Sequence, residues 1–531
     1  MDRRDLLRLA AAGTALAANL RNADAQAMPS SEIAQADVAT LGALQKSGAQ
    51  SAVSIAQMYL ARMDAIDRAG PSINAVIERN PDALAIAEQL DRERKEKGPR
   101  GPLHGIPVLL KDNIDTADRM RTTAGSLALA EHTAARDAFL VERLRAAGCV
   151  VLGKTNLSEW ANFRSTRSTS AWSGRGGQTR NPYALDRNTS GSSSGSGAAM
   201  AADLCAIAVG TETDGSITSP ASVCGLVGIK PTVGLVSRSG IIPISHSQDT
   251  AGPMTRTVAD AAALLTAMAG VDPRDAATRA SKGKAQDYTK ALDPAGLKGA
   301  RIGIARDLFG PNGRVDRVVE EGIAAMKDAG AIVVDPVKLT SHGKLGANED
   351  IVLLYEFKAG LDAYLAGTGP SVSVRSLADV VAFNARNAER EMPYFGQEIM
   401  LQSLQKGPLT EPEYQKALAM NHLLSRDKGI DAALAANKLD ALVAPSAPLA
   451  WIIDYANGDN YRGGAVSQMP AVAGYPHITV PAGFAFGLPV GVSFFAGAYS
   501  ESKLIKLAFA FEQATKARRA PKFEPTLSMR G

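Results

Sequence analysis

The sequence predicts an α/β fold built on a central sheet. Short apolar runs typical of buried strands, such as residues 106–110 and 149–152, alternate with segments whose apolar residues recur at helical spacing. Such alternation favours a sheet covered by helices. The 531 residues are 45% apolar and 21% charged, as in ordinary globular proteins, and 49 glycines indicate many tight turns.

The predicted elements follow one another in a regular order. Residues 30–97 have a helical pattern, which the Gly- and Pro-rich residues 98–102 interrupt. Residues 105–110 form a strand, and an amphipathic helix over residues 139–147 ends at Gly148. The later predicted elements are a strand at 149–152, a helix-to-strand passage at 200–209, a helix at 258–269, a linker or loop insertion at 270–299, a strand at 301–305, a mostly helical stretch to residue 437, and strands at 441–444, 477–480 and 491–495.

The first 27 residues are predicted to be a cleaved export signal. Arg3 and Arg4 precede an Ala-rich apolar run, and Ala25-Gln26-Ala27 is a small-x-small cleavage pattern. The run is shorter than the roughly 20 residues that span a membrane. We therefore expect export through the twin-arginine route to the periplasm or the medium. A plain amphipathic N-terminal helix is the alternative.

The charge and cysteine content of the sequence indicate which partners and cofactors the protein is expected to lack. The net charge of +4 is spread along the chain without a dominant Lys/Arg tract, so no nucleic-acid partner is predicted. Cys149, Cys205 and Cys224 lie in apolar runs and are interpreted as buried thiols. Because no Cys/His cluster has zinc-ligand spacing, we predict no metal site. We also expect no cofactor. Because the sequence has no heptad repeat and no self-complementary apolar stripe, we expect a monomer. We also expect no membrane partner.

Two motifs match known patterns by spacing alone. Residues 148–155 match the phosphate-binding P-loop, but their middle residues are strand-like and a helix precedes them, so we interpret the match as accidental. Residues 191–195 match the Gly-x-Ser-x-Gly nucleophile elbow, which needs an apolar strand before it and a histidine base. The preceding residues are mostly polar. With His246 or His477 as base, the elbow stays open as a minor alternative.

A third combination predicts a nucleophile beside an oxyanion hole. Residues 190–200 are a Ser/Gly-rich loop that runs into a small-residue helix, and residues 209–217 leave a buried strand and turn at Gly215. Such a turn can present a hydroxyl and several backbone N–H groups toward one point. Lys111 directly follows an apolar strand, and burial would lower its pKa and make it a candidate base. From its own segment alone, a lysine that reaches solvent or pairs with Asp112 is the stronger interpretation.

Taken together, these segments resemble the amidase signature family. The family pattern consists of a Ser/Gly-rich block, a Gly-x-x-x-x-Gly-Ser-Ile turn and a Lys-Pro-Thr block, which residues 191–197, 210–217 and 228–234 match. The match runs from about residue 103 to 269, with further support from 441 to the C-terminus. The resemblance implies a large mixed central sheet covered by helices on both faces, and a Ser–cis-Ser–Lys triad.

The resemblance also implies residue roles. Ser216 is the expected nucleophile, Ser192 the bridging serine after a cis peptide bond, and Lys111 the base. The expected oxyanion hole consists of backbone N–H groups that belong to Thr213, Asp214, Gly215 and Ser216.

Four side chains near these residues are candidates for substrate binding. The side chain of Asp214 either orients the substrate amide or caps the turn that follows at 216–222. Trp160, Asn162 and Phe163 either line the acyl pocket or pack in the core.

Departures from the commoner pattern point to one branch of the family. The run Asp214-Gly215-Ser216-Ile217-Thr218 replaces the frequent Gly-Gly-Ser-Ile-Arg, and together with residues 157–165 and 172–178 it resembles bacterial peptide amidases, which remove C-terminal amides from peptides. An aryl-acylamidase that releases anilines is the alternative. An amidotransferase subunit and an inactive binding protein are less expected.

These assignments predict a signal peptide at 1–27 and one amidase domain at 28–531. Within that domain we expect N-terminal helices at 28–97, the signature core at 103–270, a mostly helical insertion at 300–440, and returning strands with a final helix at 441–531.

Overall fold

An 11-stranded mixed sheet is the central feature of the structure, a computed structural model that describes residues 33–462 and 466–527. The predicted export signal at 1–27 lies outside the described residues. Every helix and strand named below belongs to one compact unit, Gln35–Gly531.

Seven of the 13 strands in the described residues lie close to where the apolar runs predict them. Their bounds are β1 Val76–Arg79, β2 Pro107–Lys111, β3 Val150–Thr155, β4 Trp172–Ser173, β5 Gly177–Gln178, β6 Ile207–Glu212, β7 Val227–Lys230, β8 Thr250–Thr255, β9 Arg301–Ala305, β10 Ile332–Val337, β11 Ala441–Pro445, β12 His477–Ala485 and β13 Leu488–Phe495. Strands β4 and β5 form a separate two-stranded sheet.

The helices cover both faces of the sheet, which confirms the predicted α/β class. Their bounds are α1 Val38–Ser47, α2 Ala52–Arg62, α3 Ala83–Lys97, α4 Phe139–Ala146, α5 Ser194–Ala201, α6 Thr218–Val223, α7 Val258–Met268, α8 Gly313–Asp328, α9 Gly346–Ala366, α10 Leu377–Arg386, α11 Ala388–Glu391, α12 Glu398–Leu404, α13 Pro412–His422, α14 Asp431–Asn437, α15 Gln468–Ala473 and α16 Glu501–Thr515. Within the described ranges, none of them has the length and apolar character needed to cross a bilayer.

The strand order is β1-β3-β2-β6-β8-β7-β12-β13-β11-β9-β10. Strand β2 pairs in parallel with β3 and β6, and β9 pairs in parallel with β10 and β11. The other neighbouring pairs are antiparallel. Because β2 and β6 are parallel neighbours, their carboxyl ends meet at one edge, which places Lys111 beside the chain that leaves Glu212.

The sequence analysis did not predict the central strands β7 and β8, the small sheet of β4 and β5, or the two edge strands β1 and β10. β1 lies inside residues 30–97, which were expected to be helical, and β10 lies inside the predicted helical insertion. Each is the last strand at one end of the sheet and is partly exposed, so neither needs a continuous apolar run. Through β9 and β10, residues 300–440 extend the central sheet. Residues 270–299 contain two short 3₁₀ helices, Ala276–Ser281 and Tyr288–Ala291.

The P-loop match is accidental, as predicted. Val150–Thr155 is a buried strand rather than a phosphate-binding loop, and it follows Gly148, whose φ is +83°. The Nζ atom of Lys154 donates to the carbonyl oxygen of Ile114 at 2.5 Å and to Oγ1 of Thr122 at 2.9 Å. The amine of this buried lysine therefore binds oxygen atoms of the protein rather than facing a phosphate site. The cysteines are buried free thiols, which confirms their interpretation.

Candidate functional site

Lys111 is the last residue of β2, and its side chain is fully buried. Its Nζ atom lies 2.7 Å from Oγ of Ser192, 2.8 Å from Oγ1 of Thr211 and 3.3 Å from the carbonyl oxygen of Thr211. Burial lowers the pKa of Lys111 to about 7, and the negative charges of Asp249 and Glu212 oppose this shift. The alternative of a strand-end lysine that reaches solvent is therefore wrong.

Ser192 lies in the loop before α5 and follows a cis peptide bond, Gly191–Ser192, as the resemblance implies. The backbone N–H of Ser158 donates to the carbonyl oxygen of Ser192 at 3.1 Å. A Cβ atom at position 191 would collide with the side chain of Ser158, so only glycine fits there. These contacts hold the Ser192 hydroxyl against the lysine.

Ser216 lies in the turn between β6 and α6. The backbone N–H of Ser193 donates to the carbonyl oxygen of Ser216 at 3.1 Å, which joins the two serine-bearing segments. Ser216 keeps 8% of its surface exposed, whereas Ser192 and Lys111 have none. Of the three side chains, that of Ser216 is therefore the one a substrate reaches first.

The turn at Ser216 is fixed by the acid that ends β6. Oε2 of Glu212 accepts hydrogen bonds from the backbone N–H groups of Ile217 at 2.8 Å and Thr218 at 2.9 Å. Gly215 has φ +75°, and a Cβ atom there would lie 3.0 Å from Oγ of Ser467. The left-handed backbone and the close approach both require glycine at this position.

The predicted oxyanion donors lie in this turn. In the part of the chain that the structure describes, no acceptor is found for the backbone N–H groups of Asp214, Gly215 and Ser216. Buried or half-buried N–H groups are almost always paired in folded proteins. Unpaired N–H groups next to a serine hydroxyl are the arrangement that an oxyanion hole requires.

The carboxyl group of Asp214 lies beside a second acid, Glu349 of α9. Burial raises the pKa of Asp214 to about 6, and burial together with the nearby Asp214 raises the pKa of Glu349 to about 8. Glu349 accepts hydrogen bonds from Gln248 at 3.0 Å and Gln468 at 2.8 Å. The predicted cap of the following turn is made by Glu212 instead of Asp214, because Glu212 is the acid whose carboxylate reaches those N–H groups.

The candidate pocket residues lie on one segment but have different surroundings. Trp160 is buried and Phe163 half-buried, and both pack with Phe357 in one hydrophobic cluster, where the rings of Phe163 and Phe357 are 4.9 Å apart. Nδ2 of Asn162 donates to Oγ of Ser170 at 3.0 Å. Ala161, between Trp160 and Asn162 in the chain, lies on the wall of a cavity of about 10 Å³. Core packing thus accounts for Trp160 and Phe163, and their place in an acyl pocket stays a prediction.

Among the described residues, neither His246 nor His477 is hydrogen-bonded to a serine of the 191–195 motif. His477 is buried, its Nε2 lies 2.6 Å from Oγ of Ser493, and burial lowers its pKa to about 3. His246 lies 3.3 Å from Oε1 of Glu356. The central serine of the elbow match, Ser193, donates from Oγ to the carbonyl oxygen of Thr211 at 3.0 Å and accepts from the N–H of Thr211 at 3.1 Å. Its hydroxyl is therefore bound to backbone, and the elbow hypothesis finds no histidine base there within the residues that the structure describes.

The sequence analysis missed several polar residues of the site. Thr211 and Asn113 surround the lysine amine, with Nδ2 of Asn113 donating to Oγ1 of Thr211 at 3.0 Å. Glu212 could have been found as an acid at a strand end within the matched block. Gln248 and Asp249 had no local signal, because their segment contacts the turn only in the folded chain. Across the described residues, no group of three or more His, Cys, Asp or Glu side chains is arranged to hold a metal ion.

Comparison with known proteins shows one family to which the chain is similar. The chain matches the model of the Amidase family over residues 56–505. A probable amidase of Arabidopsis thaliana is 45% identical over 479 residues, covering 88% of either chain.

Solved structures of peptide amidases are also similar. The peptide amidase PAM in complex with the competitive inhibitor chymostatin superposes with a TM-score of 0.89 at 53% identity, covering 92% of this chain and 99% of that chain. The native peptide amidase from Stenotrophomonas maltophilia gives a TM-score of 0.88 at 52% identity, covering 93% and 99%.

Proposed function

Because the chain belongs to the amidase signature family, we propose that it is a serine hydrolase that removes C-terminal carboxamides from peptides, with Ser216 as nucleophile, Ser192 as proton relay and Lys111 as base. The observation that carries this proposal is the 2.7 Å approach of the buried Lys111 amine to the Ser192 hydroxyl. Within the described part of the chain, the hydrogen-bond partners of this buried amine are hydroxyl and carbonyl oxygens and include no carboxylate. Such an amine is poised to lose its proton near neutral pH.

The surroundings of Lys111 suit the neutral amine. Such an amine has two hydrogens and one lone pair. The carbonyl and hydroxyl oxygens of Thr211 accept the two hydrogens, and the lone pair then faces the Ser192 hydroxyl. With a pKa of about 7, a large fraction of Lys111 is in this form at neutral pH.

The reaction follows from this starting state. Lys111 takes the proton of Ser192, Ser192 takes that of Ser216, and Ser216 Oγ forms a bond to the amide carbon. Backbone N–H groups in the turn at 213–216 stabilise the developing oxyanion, and one such donor contributes about 3 kcal/mol. The C–N bond then breaks as the proton returns through Ser192 to the leaving nitrogen, which departs as ammonia. Water attacks the acyl-enzyme by the same relay and releases the free acid.

Similarity to peptide amidases supports the peptide-amide substrate, and one of those structures holds a competitive inhibitor. The test uses the protein from Met28 onward, with peptide amides, anilides and free peptides as substrates, and follows release of ammonia and amines. We expect ammonia from the C-terminal amides and none with the matched variant Ser216→Ala. Release of arylamine alone would move the substrate to anilides, and undiminished ammonia release by Ser216→Ala would overturn the proposed nucleophile.

We also propose that the enzyme acts outside the cytoplasm, after removal of residues 1–27. The paired arginines and the Ala25-Gln26-Ala27 pattern support this route. N-terminal sequencing of the native extracytoplasmic protein is expected to begin at Met28. A first residue of Met1 would contradict the proposal.

A further inference from the structure

Asp249 lies opposite the oxyanion turn because of strand register. Strands β6 and β8 pair antiparallel, with Thr211 opposite Ala251 and Glu212 opposite Thr250. The next pair beyond the ladder is therefore Thr213 and Asp249. Oγ1 of Thr213 donates to Oδ1 of Asp249 at 2.6 Å, which continues the contact between the strands as a side-chain hydrogen bond.

Three donors bind the carboxylate of Asp249. Its Oδ2 atom accepts from the backbone N–H groups of Ile244 at 2.9 Å and Ser245 at 2.8 Å. Both oxygens thus accept hydrogen bonds, which favours the charged form, although burial raises the pKa of Asp249. Two basic groups interact with this carboxylate: Arg238, which is itself paired with Asp275 at 2.6 Å, and Lys111.

Gln248, the residue before Asp249, binds the backbone of the same threonine, Thr213. Nε2 of Gln248 donates to the carbonyl oxygen of Thr213 at 3.3 Å and to Glu349 at 3.0 Å. In a trans peptide the carbonyl and the next N–H point in opposite directions. Fixing the carbonyl of Thr213 therefore also fixes the direction of the Asp214 N–H, one of the unpaired donors of the turn.

Asp249 acts on the lysine as well as on the turn. The charged groups that act on Lys111 are Asp249 and Glu212, and Asp249 is the stronger of the two. Asp249 also shares the walls of the cavity of about 10 Å³ with Thr211 and Asn113, the polar residues around the lysine amine.

We propose that Asp249 is a positioning residue that couples the oxyanion turn to the base: its carboxylate holds Thr213, and its charge stabilises the protonated form of Lys111. This inference rests on the proposed function, since it assigns Lys111 as the base. Asp249 thereby sets both the direction of the donors and the pH at which the base becomes available.

Two variants separate the two effects. Asp249→Asn removes the charge, whereas Thr213→Val removes the hydroxyl hydrogen bond and leaves the charge in place. The measurement is the pH dependence of kcat/KM on a peptide amide from about pH 5 to 9. This range extends to both sides of the Lys111 pKa of about 7. Asp293→Asn, which removes an exposed acid paired with Lys506 at 3.2 Å, controls for loss of a surface charge.

We expect both site variants to lower the high-pH plateau of kcat/KM about tenfold or more, because the oxyanion donors are misdirected. Only Asp249→Asn is expected to move the acidic midpoint, by about one pH unit to lower pH, because the lost charge no longer favours protonated Lys111. An unmoved midpoint in Asp249→Asn, or an equal shift in Thr213→Val, would overturn the coupling. If Asp249→Asn fails to fold, a wild-type plateau in Thr213→Val overturns the positioning role by itself.

A substrate-independent readout keeps this inference distinct from the proposed substrate. The rate at which a fluorophosphonate labels Ser216 depends on the base and the oxyanion donors but on no amide. If the wild-type protein labels but cleaves no peptide amide, the proposed substrate fails, and the labelling rates of the same variants still decide the role of Asp249. Labelling rates equal to wild type in both site variants, at every pH, would overturn that role.

Discussion

The amine of Lys111 and the hydroxyl of Ser192 lie 2.7 Å apart, and neither side chain is exposed. The lysine comes from the end of a parallel strand, and the serine comes from a loop 81 residues further along the chain. Only the fold brings these two groups together. Burial at this contact is also what lowers the pKa of the lysine into the range where it can act as a base.

Replacement of Gly215 is expected to damage the oxyanion turn. In Gly215→Ala, the new Cβ would lie 3.0 Å from Oγ of Ser467 in a backbone with φ +75°. We expect kcat to fall about tenfold to a hundredfold, because the turn must shift and misdirect its N–H groups. Gly42→Ala is the matched control, since Gly42 lies in α1 with nothing within 4 Å of its Cβ position. Wild-type kcat in Gly215→Ala would contradict this account of the turn.

Glu212 is expected to hold the nucleophile turn through its carboxylate. In Glu212→Ala the N–H groups of Ile217 and Thr218 lose their acceptor, which should lower the free energy of unfolding by about 1 to 3 kcal/mol. Glu212→Gln keeps an acceptor oxygen and should lose less. Urea unfolding of both variants checks the order. Equal stability of Glu212→Ala and the wild type would show that the turn does not depend on this acid.

A histidine base is tested at His246, an exposed residue outside the proposed machinery. The side chain of His246 is 55% exposed and contacts Glu356 instead of either serine. We expect His246→Ala to keep the wild-type kcat/KM. A loss of about a hundredfold, the size of a general-base contribution, would restore the nucleophile elbow. The other candidate, His477, has a pKa lowered to about 3, which makes it a poor base at neutral pH.

The cysteines are expected to be unreactive in the folded protein. Cys149, Cys205 and Cys224 are buried, and burial raises the pKa of each thiol. A colorimetric thiol reagent should therefore label none in the native protein and all 3 after unfolding in guanidinium. Rapid labelling with loss of activity before unfolding would indicate a thiol at the site.

Much of the fold could be predicted because most strands of the sheet are buried on both faces. Strands β3 and β13 contain continuous apolar runs, and such runs identify buried strands. β10 was missed because it is an edge strand interrupted by Asp335 and Pro336, whose exposed side needs no apolar pattern.

Only the site residues that belong to a recognisable sequence motif could be predicted. Ser192 and Ser216 stand in matched blocks, so the resemblance implied them, and Lys111 gained its role from the same match. Asp249 reaches Thr213 through strand register across a sequence separation of 36 residues, which no local pattern encodes. Contacts of this kind depend on which strands become neighbours.

The pH dependence of ammonia release tests the central claim, Lys111 as base, most directly. The measurement compares kcat/KM of the wild type and Lys111→Ala on one C-terminal peptide amide, with Ser216→Ala as the blank. Since the neutral amine is the active form and its pKa is about 7, wild-type activity should rise with pH through a midpoint near that value. Lys111→Ala should lose the midpoint near pH 7, and its loss of activity relative to the wild type should be far larger at neutral than at high pH. A wild-type rate that is flat across neutral pH, or a Lys111→Ala rate that matches the wild type at pH 7, would contradict the account.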